Sequence, residues 1–190
     1  MPNPSKKSKY ARYLYGLPLL LGLLLYFFLD PPMLYEGTYD GLIKEAARKH
    51  GISAALVKAV IRRESRFRRH ARGDAGEIGL MQLMPGAVSD WSRVTKQPIP
   101  SREQLFTPET NIDIGTWYLA RCISHYKDYF SCDMLALAEY NAGYSRVKKW
   151  KPDDPLKPFR LEDIGIESTR LYVKTILGYR KKYEKMDETP

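Results

Sequence analysis

From Asp40 onward the apolar residues recur at intervals of three and four, and no stretch sustains an interval of two. That periodicity predicts an all-α body, helices packed on helices. Start and stop signals divide it. Gly51 ends a first helix over about Asp40 to His50. Ser53 stands as the N-cap of a second, where Leu56, Val57, Val60 and Ile61 form one stripe. Glu64 follows Val57 by seven and Val60 by four, so it falls on that buried stripe near the helix end. Residues 68–79 carry three glycines and read as a loop. Residues 80–84 are apolar around one amide, Gln82. Pro85 opens the next helix, with Val88 and Trp91. Thr107-Pro108-Glu109 starts a helix bearing Ile112, Gly115, Leu119 and Cys122. Ser131 or Asp133 begins another, ending near Asn141-Ala142-Gly143. Residues 151–166 hold three prolines and read as a surface excursion. Ser168 caps a last helix with Tyr172, Ile176 and Tyr179 on one side.

The N-terminal part differs. Leu14 to Leu29 is almost wholly apolar, bounded by Arg12 and Asp30. It spans roughly 24 Å as a helix, slightly short of a hydrocarbon core of about 30 Å. Tyr10, Tyr13, Tyr26, Phe27 and Phe28 extend it at the interfaces. No small-x-small site follows Leu29, which favours a retained transmembrane helix over a cleaved signal peptide. Residues 30–38 form a linker with Pro31, Pro32 and Gly37. The chain thus divides into 1–33, a basic tip, anchor and linker, and 34–190, a folded domain. Four of its net +9 charges, Lys6, Lys7, Lys9 and Arg12, precede the apolar run. They predict a cytoplasmic N-terminus and an exported body. The remaining excess of about +5 suits a polyanionic surface such as cell wall. No tight cluster of five or more Lys/Arg is counted, so nucleic acid is not expected as a partner.

An exported body lies in an oxidising compartment, where Cys122 and Cys132 have only each other as an internal partner. Two free thiols are the alternative. His50, His70 and His125 are scattered, without ligand spacing, and no metal is expected.

The chemistry centres on Glu64. A carboxylic acid on an apolar helix face is held neutral by burial, which raises its pKa toward what a general acid needs. Met81, Leu83 and Met84 offer an apolar wall and Gln82 an amide for a sugar. A structural Glu64, paired with Arg63, Arg66 or Arg68, is the bland alternative. Most glycosidases use two carboxyl groups. Asp74, Glu77 and Asp90 are the nearest in sequence, but none lies in a string that suggests a second catalytic position. Glu139 reads as a solvated helix residue. A single acid requires help from the substrate, and an N-acetyl group can supply it. Tyr140 and Asn141, at a helix end, would orient that group or Glu64; a buried tyrosine with an asparagine cap is the alternative.

Glu64-Ser65, Gly79-Leu80-Met81-Gln82-Leu83-Met84-Pro85, Asn111-x-x-x-Gly115 and Ala138-Glu139-Tyr140-Asn141-Ala142-Gly143 together resemble the soluble lytic transglycosylase (SLT) family. The resemblance covers roughly residues 40–185. It implies an all-α, lysozyme-like fold with a glycan cleft. It also implies cleavage of the β-1,4 bond between N-acetylmuramic acid and N-acetylglucosamine in peptidoglycan, without water, leaving a 1,6-anhydro end. Under it Glu64 matches the acid/base. Ser65 follows it in the Glu-Ser pair and joins the substrate-binding set. Met81 and Gln82 match the cleft lining, and Tyr140 and Asn141 the Tyr-Asn pair. Thr169-Arg170-Leu171-Tyr172-Val173 resembles the final motif, in which a tyrosine, here Tyr172, lies near the acid. No cofactor is implied. Ser168 stands where the family has Glu, and Glu139 where it has a small residue. The resemblance and the charge bias together place the domain outside a bacterial inner membrane, acting on peptidoglycan strands. The competing functions are a water-using, goose-type lysozyme and a catalytically silent glycan-binding component of an envelope-spanning assembly.

Overall fold

The computed structural model describes residues 36–187. The expected membrane helix Leu14 to Leu29, and the segment 1–33, lie outside them. Among the described residues no helix is long and apolar enough to cross a membrane. These residues form α1 (Asp40–His50), α2 (Ala54–Ser65), α3 (Pro85–Thr95), α4 (Pro108–His125), α5 (Cys132–Ala142), α6 (Tyr144–Trp150) and α7 (Glu167–Asp187), with 3-10 turns at Gln104–Phe106 and Leu161–Asp163. No strand forms among them; only isolated bridges join Ile78 to Arg72 and to Leu83.

The first two helices follow their local signals. Gly51 adopts φ 69° and closes α1 by donating to the Ala47 carbonyl. A side chain there would be strained. The Ser53 hydroxyl then accepts from the Leu56 amide at 3.3 Å, a cap worth about 1 kcal/mol. In α2, Ala55, Leu56, Val57, Ala59, Val60 and Ile61 are all buried. So wide an apolar face puts most of the helix in the interior, and α2 packs against α1 and α7. It runs antiparallel to α7. Lys58 lies over the Tyr183 ring, Arg62 over Tyr179 and Arg63 over Tyr172.

Two non-glycine residues in the left-handed region end α2: Arg66 (φ 53°) and Phe67 (φ 64°). Each costs about 1–2 kcal/mol. Phe67 is 1% exposed, and burying that ring returns about 1.5–3 kcal/mol. Core burial therefore holds a turn that local preference opposes.

Pro85 opens α3 and Pro108 opens α4, as expected. Ile112, Gly115, Leu119 and Cys122 all face the core from α4. Thr107 and Ser131 precede their helices without capping them. Thr107 bonds Gln104 and Thr110 instead, and the Ser131 hydroxyl accepts the Phe159 amide at 2.9 Å. The last helix starts at Glu167, one residue before the expected cap.

Three expectations are corrected. Residues 151–166 are more than a surface excursion, because Phe159 (3% exposed) and Ile164 (0%) anchor them in the core. Cys122 and Cys132 are free thiols. Cys122 is buried in α4, whereas Cys132 opens α5 and directs its thiol to the Ile123 carbonyl at 3.5 Å. Glu139 is not solvated. It is 3% exposed, bonded to His125 Nδ1 at 2.9 Å and to the Tyr126 hydroxyl at 2.6 Å. Two good partners are what permit a buried carboxylate.

Candidate active site

Glu64 is the penultimate residue of α2 and is half-buried. Its Oε1 accepts the Tyr172 hydroxyl of α7 at 2.6 Å. Burial raises its pKa from 4.5 to about 7, the Tyr172 bond and the Arg63 charge oppose that shift, and the Glu77 charge adds to it. Burial outweighs that bond and that charge and leaves a carboxyl that both gives and takes a proton near neutrality.

Facing it is the loop 78–83. Ile78 and Leu83 exchange both backbone hydrogen bonds, at 2.9 and 3.2 Å. Gly79 (φ 77°) and Gln82 (φ 48°) make the turn between them. Asn111 of α4, fully buried, pins this loop. Its amide donates to the Ile78 and Leu105 carbonyls at 2.9 and 2.8 Å, and its oxygen accepts the Met81 amide at 2.8 Å. A Cβ on Gly79 would stand 2.3 Å from the Asn111 amide nitrogen, and one on Gly115 would stand 2.5 Å from the Met81 sulfur. Both glycines are therefore required by close packing. The Asn111-x-x-x-Gly115 string works from beneath the site: one residue bonds the loop, the other makes room for it.

Tyr140 of α5 closes the arrangement by donating to the Met81 carbonyl at 2.9 Å. Its ring meets Tyr118 edge-on at 5.5 Å. Burial and then the Glu64 charge push the Tyr140 and Tyr172 phenols well above their ordinary range, so both remain protonated donors. Asn141 is exposed, and its side-chain oxygen accepts the Thr169 hydroxyl of α7 at 2.7 Å.

The structure thus gathers Glu64, Tyr172, Tyr140 and the Met81–Gln82 loop. Three expected roles change. Ser65 is 1% exposed and donates its hydroxyl back to the Ile61 carbonyl at 3.2 Å. It lies four residues after Ile61 and so continues the deepest row of α2, turned inward. Met81 and Leu83 are also buried, at 0% and 2%, and the exposed apolar side chain is Met84, at 44%. Met81 fills the space above Gly115, and its backbone carbonyl is what serves the site. Gln82 donates its amide nitrogen to the Gly79 carbonyl at 2.9 Å. That bond fixes the side chain within the turn.

The carboxylates near Glu64 in sequence separate clearly. Asp90 bridges Arg93 and Arg121 at 2.7 and 2.6 Å, and those bonds hold its carboxyl below the usual range. Glu77 accepts the Ala75 amide at 3.0 Å and is the carboxylate that acts electrostatically on Glu64. Periodicity gave no signal for Asn111 or Glu77. Among the described residues no group of three His, Cys, Asp or Glu side chains is placed to hold a metal ion.

An all-helical domain with a half-buried, phenol-bonded acid, Glu64, beside a pinned turn is the class of architecture found here. Residues 41–161 match the family described as "Transglycosylase SLT domain", and the chain belongs to that family. It is 34% identical over 149 residues to the soluble lytic murein transglycosylase of Salmonella typhimurium, covering 76% of this chain and 23% of that protein. It is 34% identical over 125 residues to a membrane-bound lytic murein transglycosylase C of Salmonella arizonae, covering 63% and 35%. Its fold is similar to the lytic transglycosylase Slt of Pseudomonas aeruginosa, solved as an inactive mutant. The TM-score is 0.73 at 28% identity, over 95% of this chain and 30% of that one. The chain thus spans a quarter to a third of the length of these relatives.

Proposed function

We propose that this chain is a peptidoglycan lytic transglycosylase with Glu64 as its single acid/base. The observation that carries the reading is the half-buried Glu64 with its pKa near 7 and the Tyr172 hydroxyl at 2.6 Å. Protonated Glu64 gives its proton to the glycosidic oxygen, and the bond from C1 of N-acetylmuramic acid to that oxygen breaks. The N-acetyl group shields the developing charge at C1. The Glu64 carboxylate then takes the proton of the muramic 6-hydroxyl as that oxygen bonds to C1. A 1,6-anhydro ring closes, Glu64 is protonated again, and no water is consumed. Tyr172 positions the carboxyl. Tyr140, through the Met81 carbonyl, fixes the wall that carries Gln82, and Asn141 is the exposed polar group beside it.

The chain is further read as segment 1–33 with a retained single-pass anchor over 14–29, followed by the domain 34–190 outside the inner membrane. The basic flank and the likeness to a protein named membrane-bound support this.

The test is mass spectrometry of soluble products from purified peptidoglycan treated with the full chain, beside Glu64→Gln. Muropeptides lighter than hydrolysis products by one water, absent with the variant, are expected. Products with reducing-end muramic acid would refute the lyase reading. They would favour a lysozyme-type hydrolase, for which Glu77, the carboxylate felt by Glu64, is the water-activating candidate.

A further inference from the structure

Six arginines stand within eleven residues: Arg62, Arg63, Arg66, Arg68, Arg69 and Arg72. No five of them are consecutive, which is why counting charge runs passes over them. Arg62 is occupied by Glu36 at 2.6 Å and by the Tyr179 ring. The other five are exposed. Among the described residues, Arg63, Arg66, Arg69 and Arg72 have no carboxylate in ion-pair contact.

The backbone and nearby rings hold this group in place. The paired left-handed residues Arg66 and Phe67 send Phe67 into the core and leave Arg66 and Arg68 outside. The guanidinium of Arg63 lies 5.4 Å from the Tyr172 ring centroid, and that of Arg72 lies 5.2 Å from Phe106. His70 packs on the same Phe106 ring and accepts the Arg69 Nε–H at 3.0 Å. A guanidinium stacked on a ring keeps its N–H edge free for a bidentate anion and loses little freedom on binding one. Unpaired arginines this close repel one another, so an anionic ligand relieves strain as well as forming bonds.

The position of the cluster selects the anion. Arg63 adjoins Glu64 in sequence and sits on Tyr172, whose hydroxyl holds the Glu64 carboxyl. An anion on this rim therefore lies beside the bond to be broken. In peptidoglycan the acidic peptides hang from the lactyl group of muramic acid, the sugar whose C1 reacts. We propose that the 63–72 arginine rim binds the free carboxylates of these peptides, so that the domain favours peptide-bearing glycan over stripped glycan. This rests on the peptidoglycan reading above.

The test uses the full chain carrying Glu64→Gln, so that strands stay intact. Its binding to peptide-bearing sacculi and to amidase-stripped strands is compared with that of the same chain bearing Arg66→Gln, Arg69→Gln and Arg72→Gln. These positions lie outside the catalytic machinery. The expected result is roughly tenfold weaker binding to peptide-bearing strands, from three exposed ionic contacts, with stripped strands unaffected. Raising salt to about 0.5 M is expected to bring the parent down to the level of the triple variant. Equal loss on both strand types, or no loss on either, overturns the proposal. So does loss confined to phosphatidylglycerol vesicles with sacculus binding intact, which would assign the rim to a membrane. Circular dichroism checks folding. Should the triple variant unfold, Arg69→Gln and Arg72→Gln are read singly, with about twofold expected for each. Absence of anhydro products from the wild-type chain, with the binding difference intact, would count against the lyase reading alone.

Discussion

Replacing Glu64 by glutamine is expected to remove the catalyst and to stabilise the fold at alkaline pH. The folded pKa of Glu64 is about 7 against an ordinary 4.5, chiefly because burial penalises its charge. Below pH 4.5 both folded and unfolded chains hold the proton, and this group adds no pH dependence. Between pH 4.5 and about 7 the folded chain keeps a proton that the unfolded chain has released, so stability falls as pH rises. Each pH unit in that window costs about 1.4 kcal/mol, and the full loss is about 3 kcal/mol, complete above pH 7. Glutamine does not titrate, and its amide oxygen still accepts the Tyr172 hydroxyl. The stability gap between Glu64→Gln and wild type should therefore widen by about 3 kcal/mol from pH 4.5 to pH 8. For a domain of this size that is roughly 6–12 °C in Tm. Urea denaturation of both proteins at the two pH values measures it. A gap that is the same at both pH values would refute the claim that burial raises this pKa.

Other consequences are smaller or more local. Tyr172→Phe removes a bond that favours the Glu64 carboxylate, so the alkaline limb of kcat/KM should move up by about one pH unit; an unmoved limb would mean that another group sets it. Asn111→Ala leaves the Leu105 carbonyl and the Met81 amide without a partner and takes one of two donors from the Ile78 carbonyl, and about 2–4 kcal/mol of stability should be lost in denaturant titrations. Burial raises the Cys132 thiol to about 11 and pushes the Cys122 thiol well above its ordinary range. Alkylation of the unfolded chain without reductant should label two thiols, and the folded protein should react slowly at pH 8, Cys132 before Cys122.

Glu64 was legible in the sequence because a helix has a fixed period. Its spacing from Val57 and Val60 fixes its face, and burial on that face dictates its protonation. Gly51, Ser53, Pro85 and Pro108 were legible for a similar reason, since each acts on the backbone within one helical turn. Family resemblance supplied the roles of Tyr140 and Tyr172, which no local pattern carries.

What lay beyond the sequence depends on contacts between distant segments. Ser65 and Met81 stand in the expected strings, yet packing turns both inward. Met81 goes inward because Gly115, thirty-four positions away, has no Cβ and leaves room for its side chain. Glu139 looks like a surface charge until His125 and Tyr126 supply its partners. Phe67 takes a backbone conformation its own preference opposes, because core burial outweighs the local penalty. The sequence alone determined the helices and the apolar face on which Glu64 lies, through short-range periodicity and capping. The tertiary structure decided which side chains are buried and how the Glu64 carboxyl is held, because those depend on residues that only folding brings together.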